Sequence, residues 1–162
     1  MYSYSFEYLP LEVVLLMHEW GIAESIVRAV LEYAEGEGIK RVWEVVISVG
    51  ELSQLDLEVL RYAAETLSKG TPLEGAVFKF DEEEARFKCN RCGWEWGFED
   101  IKSSIEEKVG VRVRDLEGGN DLPIHYMPEL IYTYASCPKC GSSDFEVVSG
   151  MGVKIVRLRV DE

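Results

Sequence analysis

The stretch CNRCGWEWGF, residues 89–98, decides how this chain is divided. It offers two cysteines separated by two residues, then a glycine, then alternating large apolar side chains at Trp94, Trp96 and Phe98. A tight turn carrying two thiols can grip one side of a tetrahedral ion. The glycine that follows permits the positive φ such a turn needs and leaves backbone N–H groups free to point at sulfur. Trp94–Phe98 then reads as the returning strand of a hairpin. A second turn of the same kind, CPKCG at Cys137–Gly141, supplies the other half. Cys89, Cys92, Cys137 and Cys140 are all the cysteines of the chain. Paired at this spacing they predict a closed four-thiolate site, the signature of structural zinc. The same residues could form two disulfides, which a reducing compartment disfavours, stand as four unrelated buried thiols, or form a rubredoxin-type iron site. The long stretch from Gly93 to Ser136 exceeds a plain ribbon loop and carries structure of its own.

The flanks on either side read as an α/β unit interrupted by this module. Ile22, Ile26, Val30 and Tyr33, widened by Val27, Leu31 and Ala34, predict an amphipathic helix from about His18 to Glu37, ended by Gly36 and Gly38. Arg41–Val49 alternates as a half-buried strand, with Trp43, Val45, Ile47 and Val49 on the inner face. After the turn Gly50–Ser53, a second helix is expected near Asp56–Lys69, with Leu55, Val59, Ala63 and Leu67 inward and Ser53 or Asp56 as its cap. Ala76–Phe80 is a further strand. Within the module, Asp100–Lys108 suits a short helix through Ile101 and Ile105, Gly110–Asp121 a loop, and Leu130–Ala135 a β-rich approach to the second cysteine pair. Phe145–Val148 and Lys154–Val160 close the chain as strands. Two strands under two helices make a marginal sheet, so the last strand is expected to return and add a third. The predicted class is α+β: two helices on a three-stranded sheet, with an inserted four-cysteine zinc-ribbon domain. The expected divisions are a leader over 1–16, an α/β domain over 17–84 plus about 146–162, and a zinc domain over 85–145.

The chain has 162 residues, 47% of them apolar and 29% charged, with a net charge of −13. That acidity argues against a nucleic-acid surface, which needs a basic patch, and favours cations or a basic partner. Leu9–Met17 is the longest apolar stretch, but Pro10 and Glu12 interrupt it and it falls short of the roughly 20 residues of a membrane span. The residues before it carry no Lys or Arg and no small-residue cleavage site follows, so a cytoplasmic protein without membrane insertion is expected. No activated nucleophile is evident. Gly118-Gly119 lacks the Gly-Lys-Ser/Thr of a phosphate-binding loop, so no enzyme is expected.

Two histidines are present. His125, in PIHYMPEL, reads as a hydrogen-bonded loop residue. His18 follows Met17. If a chain began at Met17, its amine, the next backbone nitrogens and the imidazole would form fused chelate rings suited to tetragonal Ni(II) or Cu(II). With Met17 internal, His18 is a polar residue at a helix start.

MHEWGIAESIV (17–27), VISVGELSQLD (46–56), the acidic run before CNRCG, then CPKCG and GMGVKIVRL (150–158) together resemble the HypA family of nickel metallochaperones. The resemblance covers nearly all of 17–162, and the long segment with HYMPE is similar to archaeal members. It implies delivery of Ni(II), as a transient cargo, to the large subunit of nickel-iron hydrogenase, with a HypB-type GTPase as partner and structural zinc on the four cysteines. It implies a nickel site at Met17, His18 and Glu19, with Asp56 as an acidic contributor, although Asp56 reads equally well as a helix cap. The leader departs from the family pattern, since it acylates Met17 through Leu16. Either the working protein begins at Met17, or the extension is real and the nickel site is altered, or blocked until processing. The lack of targeting features favours the former, and the leader is expected to add little to the core. Two rivals stand beside this reading. One is a zinc-ribbon interaction module of transcription or translation machinery, disfavoured by the charge; the other is a cysteine-ligated iron electron carrier.

Overall fold

The computed structural model describes residues 11–109, 113–114, 120–121 and 130–161, with side chains for 18–105, 107–108 and 130–161. His125 and residues 1–10 of the leader lie outside them.

Helix α1 (Leu11–Gly36) is followed by strand β1 (Arg41–Gly50), a 3-10 turn (Glu51–Ser53), helix α2 (Leu57–Leu67) and strand β2 (Val77–Glu83). β1 and β2 are parallel, so α2 is the crossover between them. The last strand, β8 (Val153–Asp161), pairs antiparallel with β1 on its other side. The order β2-β1-β8 is the expected three-stranded sheet with the returning final strand. Ala23, Ile26, Val27, Val30 and Ala34 of α1 and Leu60, Ala63 and Ala64 of α2 bury against Val42, Val45, Ile47, Val49 and Phe78 of the sheet.

The cysteine module lies between β2 and β8 in sequence. It contains β3 (Arg86–Cys89), β4 (Glu95–Gly97), α3 (Glu99–Val109), the short β5 (Val113–Arg114) and β6 (Asn120–Asp121), α4 (Ile131–Tyr134) and β7 (Phe145–Ser149). β3 is central in a second sheet, order β4-β3-β7. A second core forms there around Phe87, Trp96 and Phe145, whose rings pack at 5.7–6.0 Å, with Ile101, Ile105 and Ile131. A chain this size thus carries two separate small cores.

Several local expectations are corrected. α1 starts at Leu11, upstream of His18. The Leu11–Met17 stretch holds no Pro or Gly that would break a helix. Tyr33, expected inward, is 56% exposed, and Ala23 holds the inner stripe instead. Trp43, also expected inward, faces out beneath the Arg41 guanidinium, 4.0 Å from its ring, while Val42 is fully buried. The reason is a β-bulge: the register against β8 slips between Val42 and Glu44, which breaks the two-residue alternation. In α2, Leu60 and Ala64 are buried, whereas Leu55 and Leu67 only pack on the core margin. Leu130–Ala135, expected β-rich, contains helix α4. Ile131 and Ala135, four apart, both enter the second core, and that spacing outweighs β-propensity. Within Gly110–Asp121, expected as a loop, β5 and β6 pair antiparallel.

Candidate metal centres

The four cysteine sulfurs lie within 4.8 Å of one another. Each knuckle is a tight turn closed by a glycine N–H: Gly93 donates to the Cys89 carbonyl at 3.0 Å and Gly141 to the Cys137 carbonyl at 2.9 Å. Both glycines have φ +75°, which a side chain would strain. Inside each turn a backbone N–H points at sulfur, Cys92 to Cys89 Sγ at 3.4 Å and Cys140 to Cys137 Sγ at 3.5 Å. β3 delivers Cys89, and β7 begins just after the second knuckle. Asn90 ties the knuckles together, its N–H donating to the Asp144 carbonyl at 3.0 Å and its Nδ2 to Asp144 Oδ1 at 2.9 Å.

Across the knuckles, Cys89 Sγ is 3.6 Å from Cys140 Sγ, and Cys92 Sγ is 3.6 Å from Cys137 Sγ. These are not disulfide distances; all four cysteines are free. A zinc ion bonded to sulfur at about 2.3 Å sets tetrahedral S···S edges of about 3.8 Å, so the quartet has the size and donor set zinc requires. Its thiols are electrostatically divided. For Cys137, burial pushes the thiol up, but the N–H groups of Cys140 and Lys139 and the neighbouring sulfurs outweigh it and bring it to about 7. The N–H of Cys92 holds Cys89 below the ordinary thiol value against the effect of burial. At Cys92 the N–H of Trp94 pulls down, yet burial and the three adjacent sulfurs push the thiol up to about 11. Four sulfurs this close cannot all ionise unaided; a divalent cation removes that conflict.

The other predicted site residues are not assembled in the same way. Among the described residues the cysteine quartet is the one group of three or more His, Cys, Asp or Glu with ligand atoms this close. Met17 is inside α1. Glu19, 4% exposed, accepts the Asp56 backbone N–H on Oε1 at 3.3 Å. Asp56 is the cap of α2: its Oδ1 accepts the N–H groups of Glu58 at 3.0 Å and Val59 at 3.1 Å. His18 lines a groove between α1 and β8, with Val153 and Ile155 on the far wall. The structure therefore joins Glu19 to Asp56 and places His18 on the β8 side of α1.

Sequence reasoning missed the junction between the two cores. Leu52, in the turn after β1, is fully buried in the cysteine module's core. Glu51 Oε2 accepts the Ala85 N–H at 2.7 Å, and Glu83 Oε1 accepts the Gly150 N–H at 2.7 Å. Gly50 and Gly150 touch so closely that a Cβ on Gly50 would sit 2.3 Å from the Gly150 oxygen. The available signal was a pair of glycines at strand ends, one on each side of the insertion.

Comparison with known proteins matches this arrangement. The profile of the family described as "Hydrogenase/urease nickel incorporation, metallochaperone, hypA" matches residues 17–160. "Hydrogenase maturation factor HypA" of Pyrococcus horikoshii is 43% identical over 146 residues, covering 90% of this chain and 97% of that one. The protein of the same description from Thermococcus onnurineus is 42% identical over the same coverage. Among solved structures, "Solution structure of HypA protein" aligns with a TM-score of 0.54 at 19% identity, covering 89% of this chain and 96% of that one. The Ni metallochaperone HypA from Helicobacter pylori aligns at 0.52 and 18%, covering 88% and 96%. The solved structures support the fold; the profile and the archaeal sequences support the family. With its α+β fold and its four-cysteine metal-binding cluster, the chain belongs to the HypA family of nickel-incorporation metallochaperones.

Proposed function

We propose that this chain captures Ni(II) as cargo and passes it to the large subunit of a nickel-iron hydrogenase, working with a HypB-type GTPase, while Cys89, Cys92, Cys137 and Cys140 hold resident zinc. The observation that carries the reading is that the family match opens at Met17-His18-Glu19, whose glutamate is buried against the Asp56 backbone. Zinc, when bound, supplies a tetrahedral cross-link that holds the two knuckles together.

The nickel donors are the amine of Met17 in a chain beginning there, the backbone nitrogens of His18 and Glu19, and the His18 imidazole. An all-nitrogen set of this kind suits tetragonal Ni(II). The helix explains why the upstream residues matter. In the 162-residue chain α1 continues to Leu11, so the N–H groups of Met17, His18 and Glu19 fall in its hydrogen-bonded interior, and the Met17 nitrogen is an amide. In a chain starting at Met17 the same groups belong to the first turn, whose N–H groups have no partner within the helix. Glu19, anchored to Asp56, fixes the direction of that turn. A site of amine, imidazole and amide donors loses metal as pH falls and protons compete, which suits transfer better than storage. The acidic surface attracts the cation.

Nickel calorimetry on three proteins tests this: the 162-residue chain, the chain beginning at Met17, and His18→Ala in the shorter chain. The expected result is binding by the shorter chain, loss in His18→Ala, and weak or no binding by the longer chain. Equal affinity in all three rejects the site.

A further inference from the structure

Two contacts divide the four sulfurs. Cys89 Sγ meets Cys140 Sγ and Cys92 Sγ meets Cys137 Sγ, each at 3.6 Å, so every sulfur is used once. Each contact joins a buried residue to an exposed one. Cys89 and Cys137 are buried; among the described residues Cys140 and Cys92 are exposed. The knuckles are also held face to face by groups that bind no metal. Asn90 donates from its backbone and its amide to Asp144. The Lys139 ammonium of the second knuckle stands 4.9 Å from the Trp94 ring, just beyond the first. Cys89 itself is in register with Phe145 of β7.

We infer that this arrangement is a peroxide-sensitive latch, in which oxidation closes Cys140 onto Cys89 and Cys92 onto Cys137. A hydroperoxide reaches the exposed sulfur of each pair first. The Cys140 thiolate attacks one peroxide oxygen; the O–O bond breaks, a sulfenic acid forms and hydroxide leaves. The Cys89 thiolate then attacks the sulfenic sulfur; the S–S bond forms, the S–O bond breaks and a second hydroxide leaves. Two thiolates are oxidised by two electrons and one peroxide is reduced. Cys92 and Cys137 react in the same way with a second peroxide. The four negative charges that hold a dication are then gone, so the site empties. The module stays joined, because both bonds cross from one knuckle to the other. They link residues 51 and 45 positions apart, whose approach the fold has already arranged. A bond within one knuckle would close only its own short turn and leave the two knuckles unlinked. The pairing rests on the sulfur positions alone; the release of zinc rests on the resident-zinc reading above.

Trypsin makes the pairing directly readable, because Lys88, Arg91, Lys102, Arg114, Lys139 and Lys154 place each cysteine in its own peptide: 89–91, 92–102, 115–139 and 140–154. The chain as purified is assayed for metal, treated with hydrogen peroxide, alkylated, digested and mapped by mass spectrometry, while a chromogenic chelator follows released metal. The expected products are 89–91 linked to 140–154 and 92–102 linked to 115–139, exceeding all other links roughly tenfold or more. In concentrated urea, where only short loops close readily, links within each knuckle should take over. In Cys89→Ser, dimedone should trap a sulfenic acid on peptide 140–154. Links mainly within the knuckles of the folded chain, links between chains, or oxidation to sulfinic acid without links each overturn the proposal. Correct links from a protein that carries no zinc as purified sustain the latch and reject the zinc reading. Zinc retained after both links have formed overturns the release.

Discussion

At Asp56 the carboxylate accepts two N–H groups of α2 through Oδ1 while its own N–H goes to buried Glu19. Capping and metal ligation at this residue are separable. Asp56→Ala should cost about 1 kcal/mol through the lost cap, whereas Asp56→Asn keeps the cap and should cost little. Urea denaturation measures both. If nickel affinity also falls in Asp56→Asn, the charge contributes to the site; if it is unchanged there, the residue acts through the helix. Gly150 has φ +90°, and a Cβ there would lie 2.3 Å from the Ala85 Cα. Gly150→Ala is expected to cost about 3 kcal/mol, combining left-handed strain and overpacking, and a thermal melt should show the loss. Neither requirement is visible in a list of residue types, because both depend on which backbone lies opposite.

The elements separate what local pattern can settle from what it cannot. α2, β1 and α3 follow from their periodicity, since one face of each meets a core. α4 does not, because its tyrosines and Ile131 suit a strand as well; helical spacing wins where Ile131 and Ala135 reach the same core. Trp43 is turned outward by a bulge that exists only through pairing with β8. The turn Glu51–Ser53 is the least expected element, since it follows a strand of one core and inserts Leu52 into the other. Leu52→Ala should cost about 2–5 kcal/mol as a buried cavity. The loss should register as a changed tryptophan fluorescence signal from Trp96, although residue 52 is adjacent to β1 in sequence.

For the whole molecule, two small cores imply unequal dependence on metal. The aromatic core around Phe87, Trp96 and Phe145 sits beside the cysteine quartet, whereas α1, α2 and their sheet form a separate cluster. Stripping metal with a strong chelator is expected to change the Trp96 environment and near-UV circular dichroism, with most of the helical far-UV signal retained. Acidification should act in the same direction, because protons compete for the thiolates, so bound metal falls as pH falls. Metal analysis across a pH series checks it. Loss of the far-UV helical signal together with the metal would show that the two cores fold as one unit.

The cysteine quartet, the α+β class, the return of the last strand and the family resemblance were all legible in the order of residues. Those features rest on residue type and spacing, which local chemistry constrains strongly. Packing alone sets Glu19 against Asp56 while His18 faces β8, carries Leu52 into the second core, and fastens the junction with two glycines and two glutamates. Each of these depends on the meeting of segments distant in sequence. A contact of that kind is set by packing and strand register, and no single stretch of residues encodes it.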